Sequence, residues 1–412
     1  MKADDATVAV LGAGLQGTCV ALELARRGID VALVDQDALP LNRASLRNEG
    51  KIHLGFVYAN DPTLGTARLQ IDGALTFRSA LARWIGPAAG DLARSTPFHY
   101  LVARESLLDA DAIARHYEAV QRLYDERRRL EPDVDYLGMR PDRLCWPASL
   151  PDLAPVVRTE RFTAAFATAE VAIDTDELAL RVRSAIAEAP RIRFLPLRRV
   201  QAVERVNGGF RIEGSGAEGP WRLRAHQVVN ATWEGRRALD ESLGLDGCGD
   251  RLMRLRYRLI ARVPPALRRA PSVTMVLGPF GDVVFRPDGT SYLSWYPAGL
   301  RGRSNAVEAP AAWHGPCRGE RPDEADEIAA AIVKGIADWF PGIADSELLT
   351  IDAGIIVAAG RTDISDAASG LHDRTKVGVT SASGYYSVDS GKLTTAPLFA
   401  LAAARAVAES AA

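Results

Sequence analysis

Gly12-Ala13-Gly14-Leu15-Gln16-Gly17 stands where the apolar run TVAVLGAG gives way to the helical pattern LQGTCVALELARRG. A G-x-G-x-x-G at a strand-to-helix junction has a phosphate-binding mechanism. The first glycine allows the tight turn, the second lets a pyrophosphate approach the backbone, and the third lets the helix pack on the strand. The helix N-terminus then offers N–H groups and a partial positive charge. Asp35 ends the next apolar strand, 18 positions beyond Gly17, where a carboxylate accepts hydrogen bonds from a ribose. These residues predict a dinucleotide and leave NAD and FAD both open. Elsewhere Arg254, Arg256 and Arg258 alternate along MRLRYRLIA and so share one strand face. A solvated face is the ordinary setting for such a row; if the face roofs a cavity, Arg256 is the best placed to bind an anion. Trp313, His314 and Cys317 sit together, but without further ligands no metal site is expected.

The elements that position these residues come from a chain of 412 residues, 47% hydrophobic and 25% charged, with a formal net charge of −2. That is an average globular balance, and nothing in it asks for nucleic acid or an acidic membrane surface. The length exceeds the ~250–300 residues at which single cores stop growing, so two joined domains enclosing a large cavity are expected. Cys19, Cys145, Cys248 and Cys317 are scattered without a C-x-x-C pair, which suggests neither zinc nor disulfides and fits a cytoplasmic location. MKADDATVAVLGAG carries acids where a signal peptide carries positive charge, and no apolar run reaches the ~18 residues of a membrane span.

The opening reads as a βαβ unit. Helices are expected over 62–85, over 109–130, after Asp174 or Thr175 with an apolar face of Leu178, Leu180, Val182 and Ile186, and over about 324–340 with Ile328, Ile332, Ile336 and Trp339 on one side. DERRRLE, which closes the second of these, reads as a solvated face. A β-meander follows residue 191, with Asn207-Gly208 as a hairpin turn. From 253 antiparallel strands are expected, then a long irregular loop over 301–323, strand-like IDAGIIVAAG and TKVGVTSA, and a final Ala-rich helix with Pro397 in its first turn and Thr394 or Thr395 as its cap.

Three segments carry a resemblance. Val228-Val229-Asn230-Ala231-Thr232, after the meander, resembles the second dinucleotide-contacting strand of FAD-dependent oxidoreductases. VAIDTDELALRVRSAI is similar to the helix that precedes the meander in those enzymes. Gly391-Lys392-Leu393-Thr394-Thr395 is similar to the G-K-L-T-T segment of FAD-dependent glycerol-3-phosphate dehydrogenases. Together they resemble the D-amino acid oxidase superfamily, which includes glycine and sarcosine oxidases, dimethylglycine dehydrogenase, 2-hydroxyglutarate dehydrogenases and glycerol-3-phosphate dehydrogenases. The resemblance covers three sections of the chain and implies FAD without naming a substrate. The implied fold class is α/β: a Rossmann-type FAD-binding domain (βαβ opening, β-meander, C-terminal helix) from residues 1–85, 155–235 and 346–412. Residues 86–154 and 236–345 are expected to form an antiparallel-sheet α+β substrate domain.

On this resemblance residues 45–61, SLRNEGKIHLGFVYAND, line the flavin as a loop. Gly50 and Gly55 allow close backbone approach, and Ser45, Arg47 and Asn48 reach phosphate or ribitol oxygens. Lys51, Val200, Ala231, Thr232, Gly391, Lys392, Leu393 and Thr394 complete the expected cofactor contacts. The N-terminus of the last helix would face the flavin edge that becomes negative on reduction, and Lys392 either adds a full charge there or is a surface lysine in a glycine-flanked turn. His53 has three readings: packing within the loop, a place beside the isoalloxazine ring where it assists proton transfer, or a covalent bond to the flavin. The third follows W-H-x-x-G of dimethylglycine dehydrogenase-like enzymes, from which Ile52-His53-Leu54-Gly55 departs in spacing and in lacking the tryptophan. Arg361, at the end of GIIVAAG, is the first choice for substrate recognition, with a salt bridge to Asp363 or Asp366 as the bland reading. Tyr386, beside Tyr385, either packs or fixes a polar group. His372 is a general base or an exposed loop residue.

The function expected is an FAD-dependent oxidase or dehydrogenase that takes a hydride from a CH–NH or CH–OH carbon of a small, anionic substrate. The alternatives are a flavin-dependent isomerase without net redox turnover, a nicotinamide-dependent Rossmann enzyme, and a non-enzymatic dinucleotide-binding subunit.

Overall fold

The computed structural model describes residues 4–245 and 249–410; Cys248 lies outside them. The β-branched run before the glycines forms the strand Asp4–Leu11, and the helix Leu15–Arg26 returns the chain to a parallel partner, Val31–Val34, with Val8 opposite Val31 and Leu11 opposite Val34. On the other side of Asp4–Leu11 runs Gly219–Asn230, also parallel, followed by Tyr385–Asp389 and Gly378–Ala382; Ile192–Leu195 closes the opposite edge. The hairpin Arg198–Val206 and Gly209–Gly216 turns at Asn207-Gly208 and pairs onto Gly219–Asn230 as the meander. This is the Rossmann-type sheet that the opening motif predicts.

A second sheet of nine strands is antiparallel except where Ser272–Met275 runs parallel to Phe98–Ala103. Its spine is Arg251–Arg262, paired along its whole length with Glu347–Ala359, while Thr290–Trp295 and Leu300–Ser304 share its other edge. It also takes in Phe162–Thr168. Both Phe162–Thr168 and Glu347–Ala359 fall inside segments that the sequence reading gives to the cofactor half. Against this sheet lies the helix Ala325–Ala337, whose Ile328, Ile332 and Ile336 recur every four residues and are buried, with Trp339 beneath its end.

The helices Gly65–Ile85 and Ala110–Leu130 form as expected, the second capped by the Asp109 carboxylate accepting the Ala112 N–H. Asp174, not Thr175, caps Thr175–Glu188. Leu180 does not join that helix's apolar face and is 68% exposed, because two residues on from Leu178 is roughly 200° round the helix, opposite the row Leu178, Val182 and Ile186. Residues 301–323 are not one irregular loop: the strand Leu300–Ser304 opens them and a turn of helix, His314–Cys317, follows. Neither threonine side chain caps the last helix, Ala396–Glu409; the Thr394 hydroxyl accepts the His53 N–H and the Thr395 hydroxyl donates to the Ser390 and Lys392 carbonyls. Among the described residues no helix is long and apolar enough to cross a membrane.

Candidate active site

The parallel strands of the first sheet end at Leu11, Val34, Asn230 and Asp389, and the residues just beyond each end line one long cavity. Ligands of open parallel sheets bind at such carboxyl ends. The opposite wall comes from the second sheet through Arg256, Gly354, Ile355 and Ile356.

At one end the glycine turn is built for a close neighbour. Gly12 has φ +91°, and a Cβ there would lie 2.6 Å from the Ala231 carbonyl oxygen. Gly17 packs the helix onto the turn so tightly that a Cβ would meet the Gly12 carbonyl oxygen at 1.8 Å, so Gly17 shapes the cavity without lining it. Gly14, Leu15 and Gln16 do line it. The Leu15 N–H donates to Ser45 Oγ (2.8 Å), and the Gln16 amide ties this helix to Ala396 and Ala400 of the last one. Asp35 accepts the Ala13 and Asp37 N–H groups, and burial pushes its carboxyl up to about 6. Val200, Ala231 and Thr232 line the same end.

Residues 45–55 follow the cavity as an irregular loop, as expected. Asn48 and Lys51 line the cavity as expected, although both also bind protein partners. Asn48 spends its amide on the loop itself, donating to the Ala44 and Ser45 carbonyls and accepting the Gly50 N–H, because an Asn in a tight turn satisfies local backbone first. Gly50 does not line the cavity; its missing Cβ makes room for the Ile173 carbonyl. Lys51 turns toward the second sheet, where its ammonium donates to Thr274 Oγ1 (2.6 Å), lies 3.1 Å from Asp282 Oδ1 and sits over the Phe98 ring. Arg47 lines the cavity with Nη1 lacking any hydrogen-bond partner and Nε 3.3 Å from Asp352 Oδ2.

The other end holds His53. Its imidazole lies between two carboxylates, Nε2 3.7 Å from Glu49 and Nδ1 3.7 Å from Glu170, and against the edge of Tyr58. Burial lowers its pKa, with the Glu49 contact opposing. Arg256 donates to Tyr292 Oη and lies 3.3 Å from Glu49 Oε2. Burial works against ionised Glu49, but the His53 contact and the charges of Lys392 and Arg256 outweigh it and hold the carboxyl well below the usual range. Desolvation brings the Lys392 ammonium down to about 8 despite Glu49. Gly391, Lys392 and Leu393 line the cavity; Thr394 does not, and instead fixes the His53 backbone.

The arginine row is buried, not solvated. Arg254 donates to Tyr296 Oη and meets Asp363, and Arg258 is paired with Asp352 at 2.6 Å. Only Arg256 of the three faces the cavity.

Three expected catalytic residues are not at the site. Arg361 is exposed and paired with Asp250 at 2.6 Å, because Gly360, at φ +128°, turns the chain outward as the strand ends. Tyr386 points along the sheet to the Ala406 carbonyl and Ser410 at the far end of the last helix. His372 is buried in its own loop, with Nε2 3.0 Å from the Asp366 carbonyl. Conversely, sequence reasoning missed Glu49, Arg43, Glu234 and the cavity role of His314. Glu49 stood inside the quoted loop; its only signal was an acid among cationic neighbours.

A glycine turn, a half-buried aspartate beyond the second strand and a cavity along the strand ends define a Rossmann-type dinucleotide protein with a charged chamber at its far end. The family model described as DAO, FAD dependent oxidoreductase, matches residues 7–406. The chain belongs to that family of FAD-dependent oxidoreductases, which removes the nicotinamide and non-enzymatic alternatives. Among solved structures it is similar to glycine oxidase from Geobacillus kaustophilus (TM-score 0.70, 15% identity, 98% of this chain and 95% of that one). It is also similar to L-proline dehydrogenase from P. horikoshii (0.66, 14%, 99% and 93%) and to the L-α-glycerophosphate oxidase of Mycoplasma pneumoniae with FAD bound (0.65, 15%, 98% and 95%). A search of curated proteins returned no match. The residues present fit FAD: at Gly12 and Gly17 the turn has no room for a side chain, Gly14 leaves its cavity face bare, and the Arg47 Nη1 donor is buried without a partner.

Proposed function

We propose that the protein oxidises a CH–NH or CH–OH carbon in a small anionic substrate, whose carboxylate or phosphate is held by Arg256 with Lys392. The observation that carries this is the pairing of two cations, both shielded from bulk solvent, with a single cavity-lining carboxylate at one end, Glu49. FAD, when bound, supplies the hydride acceptor. Gly12, Gly14, Leu15, Asp35, Ser45, Arg47, Val200, Ala231 and Thr232 would hold the dinucleotide, and Gly391 to Leu393 would serve its redox end. Neutral His53 receives the proton that leaves the substrate nitrogen or oxygen, and Glu49 steadies the resulting imidazolium. The cofactor half is the first sheet with its helices, and the second sheet forms the substrate half. The glycine oxidase and glycerophosphate oxidase likenesses name one amine and one hydroxyl chemistry, and the charged chamber accommodates both.

The test is anaerobic titration with amino acids, N-methyl amino acids, hydroxy acids and sugar phosphates, followed by loss of the flavin band. Rapid bleaching by one anionic class is expected; bleaching only by dithionite would favour an isomerase. A second expected result concerns attachment. Ile52-His53-Leu54-Gly55 departs from the covalent motif in spacing and in lacking the tryptophan, and carboxylates 3.7 Å from each ring nitrogen suit His53 to exchanging a proton rather than to bonding carbon. Acid precipitation should therefore leave the flavin in the supernatant, and colour retained in the pellet would establish a covalent bond.

A further inference from the structure

After Leu300–Ser304 the chain leaves the second sheet and crosses to the first. From this crossing Glu308, Ala309 and His314 line the cavity at the end that carries Asp35 and Asp37. Contacts that fasten the crossing include the burial of Trp313 and Cys317 in the core of the second sheet and the Asn305 amide donating to the Arg251 carbonyl. Trp313 lies on Gly302, where a Cβ would be 2.4 Å from the indole. Glu308 reaches Arg199 of the meander at 3.0 Å. His314 Nδ1 stands 3.0 Å from Nη1 of Arg43, whose Nε and Nη2 hold the Asp37 carboxylate at 2.8 and 3.1 Å.

The last contact dictates a protonation state. A guanidinium offers only donors, so the imidazole must accept at Nδ1, and the ring is neutral with its proton on Nε2. A protonated ring would set N–H against N–H and cation against cation.

We propose that His314 is the latch of the FAD groove: neutral, it clamps residues 305–320 to Arg43 and retains the cofactor; protonated, it lets the segment lift and FAD leave. This rests on the assignment of the groove to FAD made above. The charged groups facing His314 are Arg43, Asp37 and Glu234 from the first half, Arg199 and Glu308 beside the crossing, and Arg318 and Glu320 on its own turn. Burial and then Arg43, Arg199 and Arg318 lower its pKa, and Asp37 opposes them. The docked ring therefore binds a proton less readily than the undocked ring, and falling pH drives undocking.

The test compares holoprotein of the parent, His314→Gln and His314→Lys after passage over a membrane filter at pH ~7.5 and ~5.5, either side of the ordinary histidine range. Free FAD is read by fluorescence in the filtrate. The parent should release FAD ~10-fold faster at the lower pH, the equivalent of one charge-assisted hydrogen bond. The glutamine amide oxygen accepts from Arg43 at both values, so His314→Gln should change by no more than ~2-fold. His314→Lys should release FAD at the higher pH as fast as the parent does at the lower, while its circular dichroism stays native. Asp35 titrates in the same window in all three proteins and cancels in the ratio of parent to His314→Gln. Equal pH responses of parent and His314→Gln, or retention of FAD by His314→Lys, would overturn the latch. A parent whose FAD is unmoved by Gly14→Ala would overturn the groove assignment itself.

Discussion

Replacing Arg256 with methionine is expected to lower kcat/KM for the best substrate of the anaerobic panel by ~100- to 1000-fold while FAD stays bound. Arg256 lines the cavity, donates to Tyr292 Oη and neutralises Glu49, and its partners keep it charged against the cost of burial. Truncating one partner of a shielded charge pair costs about 2–5 kcal/mol, largely because the other charge is left without compensation. The substrate anion would lose its fork at the same time. Glu49 should then regain a proton more easily, so the acid limb of the pH–rate profile moves to higher pH. Arg256→Lys keeps the charge without the planar fork and should lose ~10-fold, with a smaller shift of that limb. Arg361→Met provides the contrast: an exposed guanidinium paired with Asp250 should change kcat/KM by less than ~2-fold. Wild-type rates in Arg256→Met would place substrate binding elsewhere and remove the observation on which the proposed function stands.

That contrast marks what the sequence could and could not reveal. The glycine turn, Asp35 and the meander were legible because each is a local pattern whose geometry is fixed within about one βαβ unit. The alternation of Arg254, Arg256 and Arg258 correctly put the three on one face. Which of them meets the cavity depended on Tyr296, Asp363 and Asp352, which arrive from distant segments. Arg361 was misplaced because a strand's end shows in sequence, whereas the direction of the following turn does not. Tyr386 shares a strand face with Val388, which lines the cavity, but it sits one pleat farther from the strand end and reaches the last helix instead. Glu49 gave almost no signal. A loop glutamate reads as solvated until Arg256, over two hundred positions away, is folded against it.

The glycines permit a prediction in which cofactor binding and folding separate. Gly17→Ala should destabilise the chain by ~3 kcal/mol or more and abolish flavin uptake. The added Cβ would stand 1.8 Å from the Gly12 carbonyl oxygen and 3.4 Å from Ala231 Cβ, and the nearer obstacle is backbone that no rotamer change can move. The helix Leu15–Arg26 must then lift from Asp4–Leu11, opening the buried layer of Leu15, Cys19 and Val20 that it shares with the last helix. Gly14→Ala meets only Ser45 Oγ, at 3.1 Å, in an extended conformation open to any residue, so it should cost less than ~1 kcal/mol. Its methyl group would nonetheless stand in the cavity where a pyrophosphate approaches the helix N-terminus, and FAD affinity should fall ~100-fold, about 2.7 kcal/mol. Thermal unfolding of the apoproteins with titration by FAD distinguishes the two. A stable, fully loaded Gly14→Ala protein would show that the dinucleotide does not use this turn, whatever the family resemblance of the glycines.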